Sequence, residues 1–272
     1  MASDGLERAV VRTVAWFSLF ETPVTVFEIW KWMFEPDRAY GLDEVYAAIE
    51  GEGLRGKLAE TDGFWTLAGG SVEAMATERR ARFLDASRKY EKLRRATRYL
   101  SRVPGVIGVA AGNTLAWWNT RPESDIDLFI VTRPGTVWTS RLLCVLPFAL
   151  MGKRPGASAV DPFCFSFFAS EDALDLSALR LDGGDPYLDY WTRSLVPVFG
   201  NIDATPTPSV ARPSAVERLA KRFQLRRLPR RIREMMNADS RVVVTDSVLK
   251  FHDQDRRAEY RDKHIALCRE LA

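Results

Sequence analysis

Cysteine, histidine, long apolar runs and a dominant sign of charge are all scarce in this chain of 272 residues. Its three cysteines, Cys144, Cys164 and Cys268, are far apart and odd in number. That argues against a disulfide framework and against close metal-ligand spacing, and it points to a reducing, cytoplasmic setting. The two histidines, His252 and His264, are too distant in sequence for a histidine-built metal site to be expected. A net charge of +3 gives no global field favouring nucleic acid. The longest apolar helical candidate, around Trp138 to Met151, carries Arg141 and Pro147 and is too short to span a bilayer, so no membrane partner is expected. The opening residues Met1 to Gly5 lack a basic region followed by an apolar stretch, so no signal peptide is expected.

What the chain does contain is ordinary globular material, 46% apolar and 28% charged, enough for about two domains. Residues 6–20 place Val10, Val14 and Phe17 at helical spacing. Thr22-Pro23 breaks that helix, and Thr25 with Glu28 forms a capping box for a second, over 26–34. A third helix is expected over 42–49, followed by two short strands around Asp62-Gly63, a hairpin signal. Three helices and a hairpin read as a winged helix-turn-helix over 1–70. Its third helix carries Asp43, Glu44 and Glu50, which phosphates would repel, so protein docking or substrate positioning is expected ahead of DNA binding by Arg55 and Lys57. Residues 71–101 read as one long charged connecting helix, with Phe83, Tyr90, Leu93 and Leu100 on its buried side and its charges on a solvated face.

The centre of the chain carries the chemistry. An apolar run, Val106 to Ala111, reads as a buried strand ending in Gly112-Asn113, and Ser124-Asp125-Ile126-Asp127-Leu128 opens a second strand. Strand residues alternate faces, so Asp125 and Asp127 point the same way. Two carboxylates side by side repel unless a cation lies between them, and hard oxygen donors suit Mg²⁺ or Mn²⁺. Gly112 would let backbone amides approach a phosphate closely.

This arrangement resembles the nucleotidyltransferase superfamily that includes DNA polymerase β and the small MNT-type domains. Its signature is Gly-Ser, a spacer, then Ser-Asp-Ile-Asp-Leu. The second half is matched residue for residue, whereas Asn113 stands where the family usually has serine. Joined to a winged helix, the arrangement is also similar to a group of bacterial proteins. The resemblance implies an α/β (α+β) nucleotidyltransferase-fold core over 102–200, with an N-terminal winged-helix domain and a basic linker and C-terminal helical region over 201–272. It implies metal-dependent transfer of an NMP from an NTP such as ATP to an acceptor, which could be an RNA end, a protein hydroxyl or a small molecule. Asp125 and Asp127 would hold the metal. Asp161, at the start of the expected third strand 161–168, would complete the set, held extended by Pro162. Gly112, Asn113 and Ser124 would contact the nucleotide, and Arg141, Lys153 and Arg154 are candidates for the pyrophosphate charge.

Beyond the core, residues 186–199 read as an aromatic-rich helix and 201–213 as a linker. A dense basic stretch follows from Arg218 to Arg233, partly disordered when unbound and favourable to RNA. The competing reading is a non-catalytic winged-helix regulator whose nucleotidyltransferase fold only senses nucleotide.

Overall fold

The computed structural model describes residues 2–156, 160–202 and 212–271. Helix α1, Ala2–Ser18, leads to α2, Val26–Lys31, whose Thr25 capping box forms as the Thr-x-x-Glu spacing requires. Helix α3, Leu42–Glu50, is followed by strands β1, Leu58–Thr61, and β2, Phe64–Leu67. Asp62 and Gly63 both take positive φ, the backbone a tight two-residue hairpin needs. Helix α4, Val72–Leu100, spans the stretch expected from its charge pattern.

The seam that α4 buries is not the expected one. It runs through Arg82, Ala86, Lys89, Tyr90, Leu93, Thr97 and Leu100, while Phe83, one helical step off that line, is 48% exposed. Several cations thus lie inside. Arg79 pairs with Glu28 at 2.7 Å, and Arg82 is bonded to Glu78 and to the carbonyls of Phe20 and Glu21.

Strand β3, Val106–Ala111, passes through the single turn α5, Asn113–Ala116, to β4, Ile126–Thr132. Helix α6, Val137–Leu150, then precedes β5, Phe163–Ser170. Helix α7, Pro186–Ser194, is shorter than expected, because residues 196–200 form strand β6, Val196–Gly200. The residue before a proline avoids helical geometry, so Val196-Pro197 ends the helix, and proline is tolerated on an edge strand. The expected linker falls at 203–211 outside the described residues. The basic stretch is ordered as α8, Ala215–Arg227, and α9, Arg230–Met235. Strands β7, Val242–Val244, and β8, Val248–Phe251, precede α10, Arg257–Glu270.

The chain divides into two compact units that differ from the expected domains. One comprises residues 1–83 with 256–272, so the C-terminal helix belongs with the N-terminal elements. There His264 Nε2 donates to the Arg12 carbonyl at 2.8 Å, with the ring packed against those of Trp16 and Phe34. The other, residues 84–255, is a mixed six-stranded sheet in the order β6-β3-β4-β5-β8-β7, in which β4 and β5 are parallel and the other neighbours antiparallel.

Strand alternation sorts the core into two layers. Ile126, Leu128, Ile130, Phe163 and Phe165 pack with α4, α6 and α8. Phe129, Val131 and Phe167 pack with Leu188 and Trp191 of α7 on the other face. A bulge, where two steps along β4 (Asp127 to Phe129) face three along β5 (Cys164 to Phe167), shifts the parity of β5. Among the described residues, no helix is long and apolar enough to cross a membrane.

Helix α8 fastens α6 through one buried carboxylate. Glu217 accepts the Trp138 and Thr139 amides at 2.7 and 2.8 Å, at a helix start that has no side-chain cap of its own. Glu217→Ala is expected to cost about 2–3 kcal/mol by leaving two amides unpaired. A urea titration would show this as a lower midpoint with an unchanged slope.

Candidate functional site

The turn between β3 and β4 builds one wall of the site. The Gly112 amide donates to the Asp127 carbonyl at 3.1 Å, and Asn113 takes φ 51°, a left-handed conformation that asparagine tolerates. Gly112 itself is extended, and a Cβ there would make only ordinary contacts with Trp191 and Leu195. The special backbone is therefore at Asn113, not at the glycine. The Asn113 side chain favours the charged form of the Asp127 carboxylate.

Asp125 and Asp127 stand at the head of β4 with the parity of Phe129, on the face opposite Ile126 and Leu128. Burial pushes the Asp127 carboxyl up to about 6, and the charge of Asp125 adds to the rise. Asp125 is also raised, by burial, against the opposing pull of Lys89 and Arg154. Neither carboxylate has a salt-bridge partner among the described residues. On β5, Cys164 lies in register with Asp127. Burial and this neighbouring charge push its thiol up to about 12, so it stays protonated.

The loop that delivers Asp125 is fastened to α4. Lys89, fully buried, pairs with Asp85 at 2.9 Å and donates to the carbonyls of Arg121 and Ser124, the latter at 2.8 Å. Asp85 in turn accepts from Thr120 at 2.7 Å. Ser124 closes the same loop, its hydroxyl accepting the Arg121 amide at 3.0 Å. In this structure Ser124 is thus engaged in shaping the approach to Asp125.

Asp161 is placed otherwise than expected. It takes φ 49° instead of the extended geometry before proline, and its buried carboxylate is bound by Arg88 and Lys92, with Lys89 at 3.7 Å. The hydrogen bond from Arg88 leads the causes that hold this carboxyl far below the usual range. Among the described residues no group of three or more His, Cys, Asp or Glu side chains could hold a metal ion, so the expected three-carboxylate set is not assembled. Asp161→Asn is expected to cost about 2–3 kcal/mol, less than a fully enclosed pair would, because Arg88 and Lys92 can turn to solvent. Thermal melting of the variant would check this.

Arg141 is not brought to the carboxylates either. Helix α6 packs on the opposite layer, where the Arg141 guanidinium donates to Gln224 at 2.7 Å and lies 4.6 Å from the Phe251 ring centre. Burial, with Arg154 nearby, lowers it to about 10. Of the basic candidates, Arg154 is the one close enough to Asp125 to favour its charge.

Sequence reasoning missed the placing of Lys89, Cys164 and Ser166, and for His252 it set a solvated or core role ahead of reaching back to a phosphate. Lys89 was legible in principle from Asp85 four residues earlier and from its place on the seam of Ala86, Tyr90 and Leu93. Phe163-Cys164-Phe165-Ser166-Phe167 carries its own signal, small polar residues alternating with phenylalanine on a central strand. The Ser166 hydroxyl lies 2.9 Å from His252 Nε2. No protein-family model, curated protein or solved structure matches the chain.

Proposed function

We propose that the unit built on residues 84–255 is a divalent-metal-dependent nucleotidyltransferase domain that takes an NTP at Asp125 and Asp127 and moves its NMP to an acceptor. The observation that carries this reading is the pair of carboxylates sharing one sheet face, each raised by burial and neither paired with a cation. Elsewhere in this unit Asp161 is matched by Arg88 and Lys92, Asp85 by Arg88 and Lys89, and Glu217 by two backbone amides. A site that leaves two repelling carboxylates unmatched is suited to an ion that arrives with its ligand.

The donor set fits Mg²⁺ or Mn²⁺. Two hard carboxylates without a third leave coordination positions for water and phosphate oxygens, the usual way Mg²⁺ is held with nucleotides. When bound, such an ion neutralises triphosphate charge and lowers the pKa of an acceptor hydroxyl. The chain's own contributions are distinct. Asn113 favours the charged form of Asp127, Lys89 and Ser124 fix the loop carrying Asp125, and Arg154 adds positive charge beside it. The antiparallel β3–β4 pair around Gly112-Asn113, with β5 parallel to β4, supports a nucleotidyltransferase-type core.

The three helices and hairpin of residues 1–67 support a winged-helix reading, and α3 argues for docking in place of DNA. It carries no Lys or Arg, Asp43, Tyr46 and Glu50 are exposed on it, and Arg55 is paired with Glu52. The exposed arginines of α8 favour a polyanionic acceptor such as RNA.

A second reading, a nucleotide-sensing module without transfer, is favoured by one observation. The β5 position in register with Asp127 holds Cys164, not a carboxylate.

Calorimetric titration of each NTP with Mg²⁺ tests the site. Binding of at least one NTP is expected, with affinity falling at least tenfold on removing Mg²⁺ and again in Asp125→Asn. Absence of binding by folded protein would sink both readings. Binding without NMP release to any RNA, protein or small-molecule acceptor would leave the sensing module.

A further inference from the structure

We infer that Ser166 is an activated nucleophile and, resting on the nucleotidyl-transfer reading above, that it is itself a site of covalent nucleotidylation. Strand β5 is buried from end to end except at Cys164 and Ser166, which are partly accessible. Cys164 lies in register with Asp127, and the Ser166 hydroxyl lies 2.9 Å from His252 Nε2. Asp127 is in register with Cys164 and Phe129 with Phe167, so Ser166 falls in the bulge between the two pairs, within the reach of a nucleotide held at Asp127.

An imidazole nitrogen is a strong acceptor for a hydroxyl hydrogen. With Nε2 unprotonated, the Ser166–His252 contact is the hydrogen bond of a serine with its base. The backbone holds that base in place, since the His252 amide donates to the Arg241 carbonyl at 3.1 Å, and its ring meets Phe167 edge-on with centroids 6.5 Å apart. A serine in such a strand with only a packing role would more often bond to backbone or water.

In the step itself, Ser166 Oγ forms a bond to the α-phosphorus of the NTP. The bond from that phosphorus to the bridging oxygen of the β-phosphate breaks, pyrophosphate leaves, and the hydroxyl proton passes to His252 Nε2. The product is an NMP ester of Ser166.

Two probes test this on the full chain. Incubation with Mg²⁺ and each α-³²P-labelled NTP, followed by peptide mass spectrometry, should place the NMP on the peptide carrying Ser166. The mark should be absent in Ser166→Ala and Asp127→Asn, at least tenfold slower in His252→Gln, and retained in Ser166→Thr, with circular dichroism melts showing that each variant folds. Diisopropyl fluorophosphate in EDTA should label Ser166, with loss of fluoride, in wild type and Asp127→Asn but not in Ser166→Ala. NTP binding without a mark on Ser166 overturns nucleotidylation of this residue and leaves the nucleotide reading standing. Fluorophosphate labelling without any NTP binding supports the activated serine and overturns the nucleotide reading. Failure of both probes overturns the inference.

Discussion

Replacing Lys89 with methionine is expected to lower stability by about 3–5 kcal/mol. The lysine is fully buried and its ammonium group has no water to return to. It matches Asp85 and two loop carbonyls at once, so removing it leaves two buried acceptors unpaired and Asp85 held by Arg88 and Thr120 alone. Methionine fills much the same volume, which confines the effect to the lost charge and hydrogen bonds. For a unit of this size the loss corresponds to a fall in melting temperature on the order of 10 °C. The site should suffer with the fold, because the released carbonyls belong to the loop that presents Asp125. A variant melting within a degree of wild type would refute a structural role for the Lys89 ammonium.

Helix α4 also separates what could be read from the sequence from what could not. The span of α4, the Asp62-Gly63 hairpin, the Thr25 capping box and the strand opening at Asp-Ile-Asp were legible, because each rests on local spacing. The interior role of the α4 cations was not. A run of lysines and arginines reads as a solvated face, and only the carbonyls of a loop some thirty residues later make Lys89 a buried residue. Asp161 shows the same limit. Its position before a strand suggested a metal ligand, but one backbone angle turned its carboxylate to Arg88 and Lys92. The partnership of α10 with the first helices depends on contacts between the two ends of the chain, such as His264 with Arg12, that no local pattern announces. The end of α7 was legible and overlooked, since Val196-Pro197 carries its own stop signal.

Asp127→Asn should reverse the order of stability of the two proteins depending on whether nucleotide is present. The Asp127 carboxyl is raised to about 6 in the folded protein, against about 3.9 in an unfolded chain. The folded state therefore binds the extra proton, and the contribution of this group to stability is greatest below pH 4, falls as pH rises from 4 to 6, and is flat above. At pH 7 the ionised, partly accessible carboxylate costs the apo protein on the order of 1–2 kcal/mol after allowance for solvent. Asparagine removes that charge and its repulsion with Asp125 at nearly the same volume. In EDTA at pH 7 the variant should be the more stable protein by that amount, with the difference vanishing near pH 4. Taking the difference between the two proteins cancels His264, whose lowered pKa acts in the opposite direction. Asp161, held far below the usual range, adds slope only near pH 4 and below, where the unfolded chain takes up its proton, and that too cancels in the difference. With Mg²⁺ and an NTP at about a hundred times the dissociation constant, wild type gains about 2.7 kcal/mol and the variant little, so their order inverts. Urea melts at pH 4, 5.5 and 7, with and without Mg²⁺-NTP, would read both effects. If the variant proves less stable than wild type in EDTA at pH 7, Asp127 is a structural carboxylate and the cation site loses its main support.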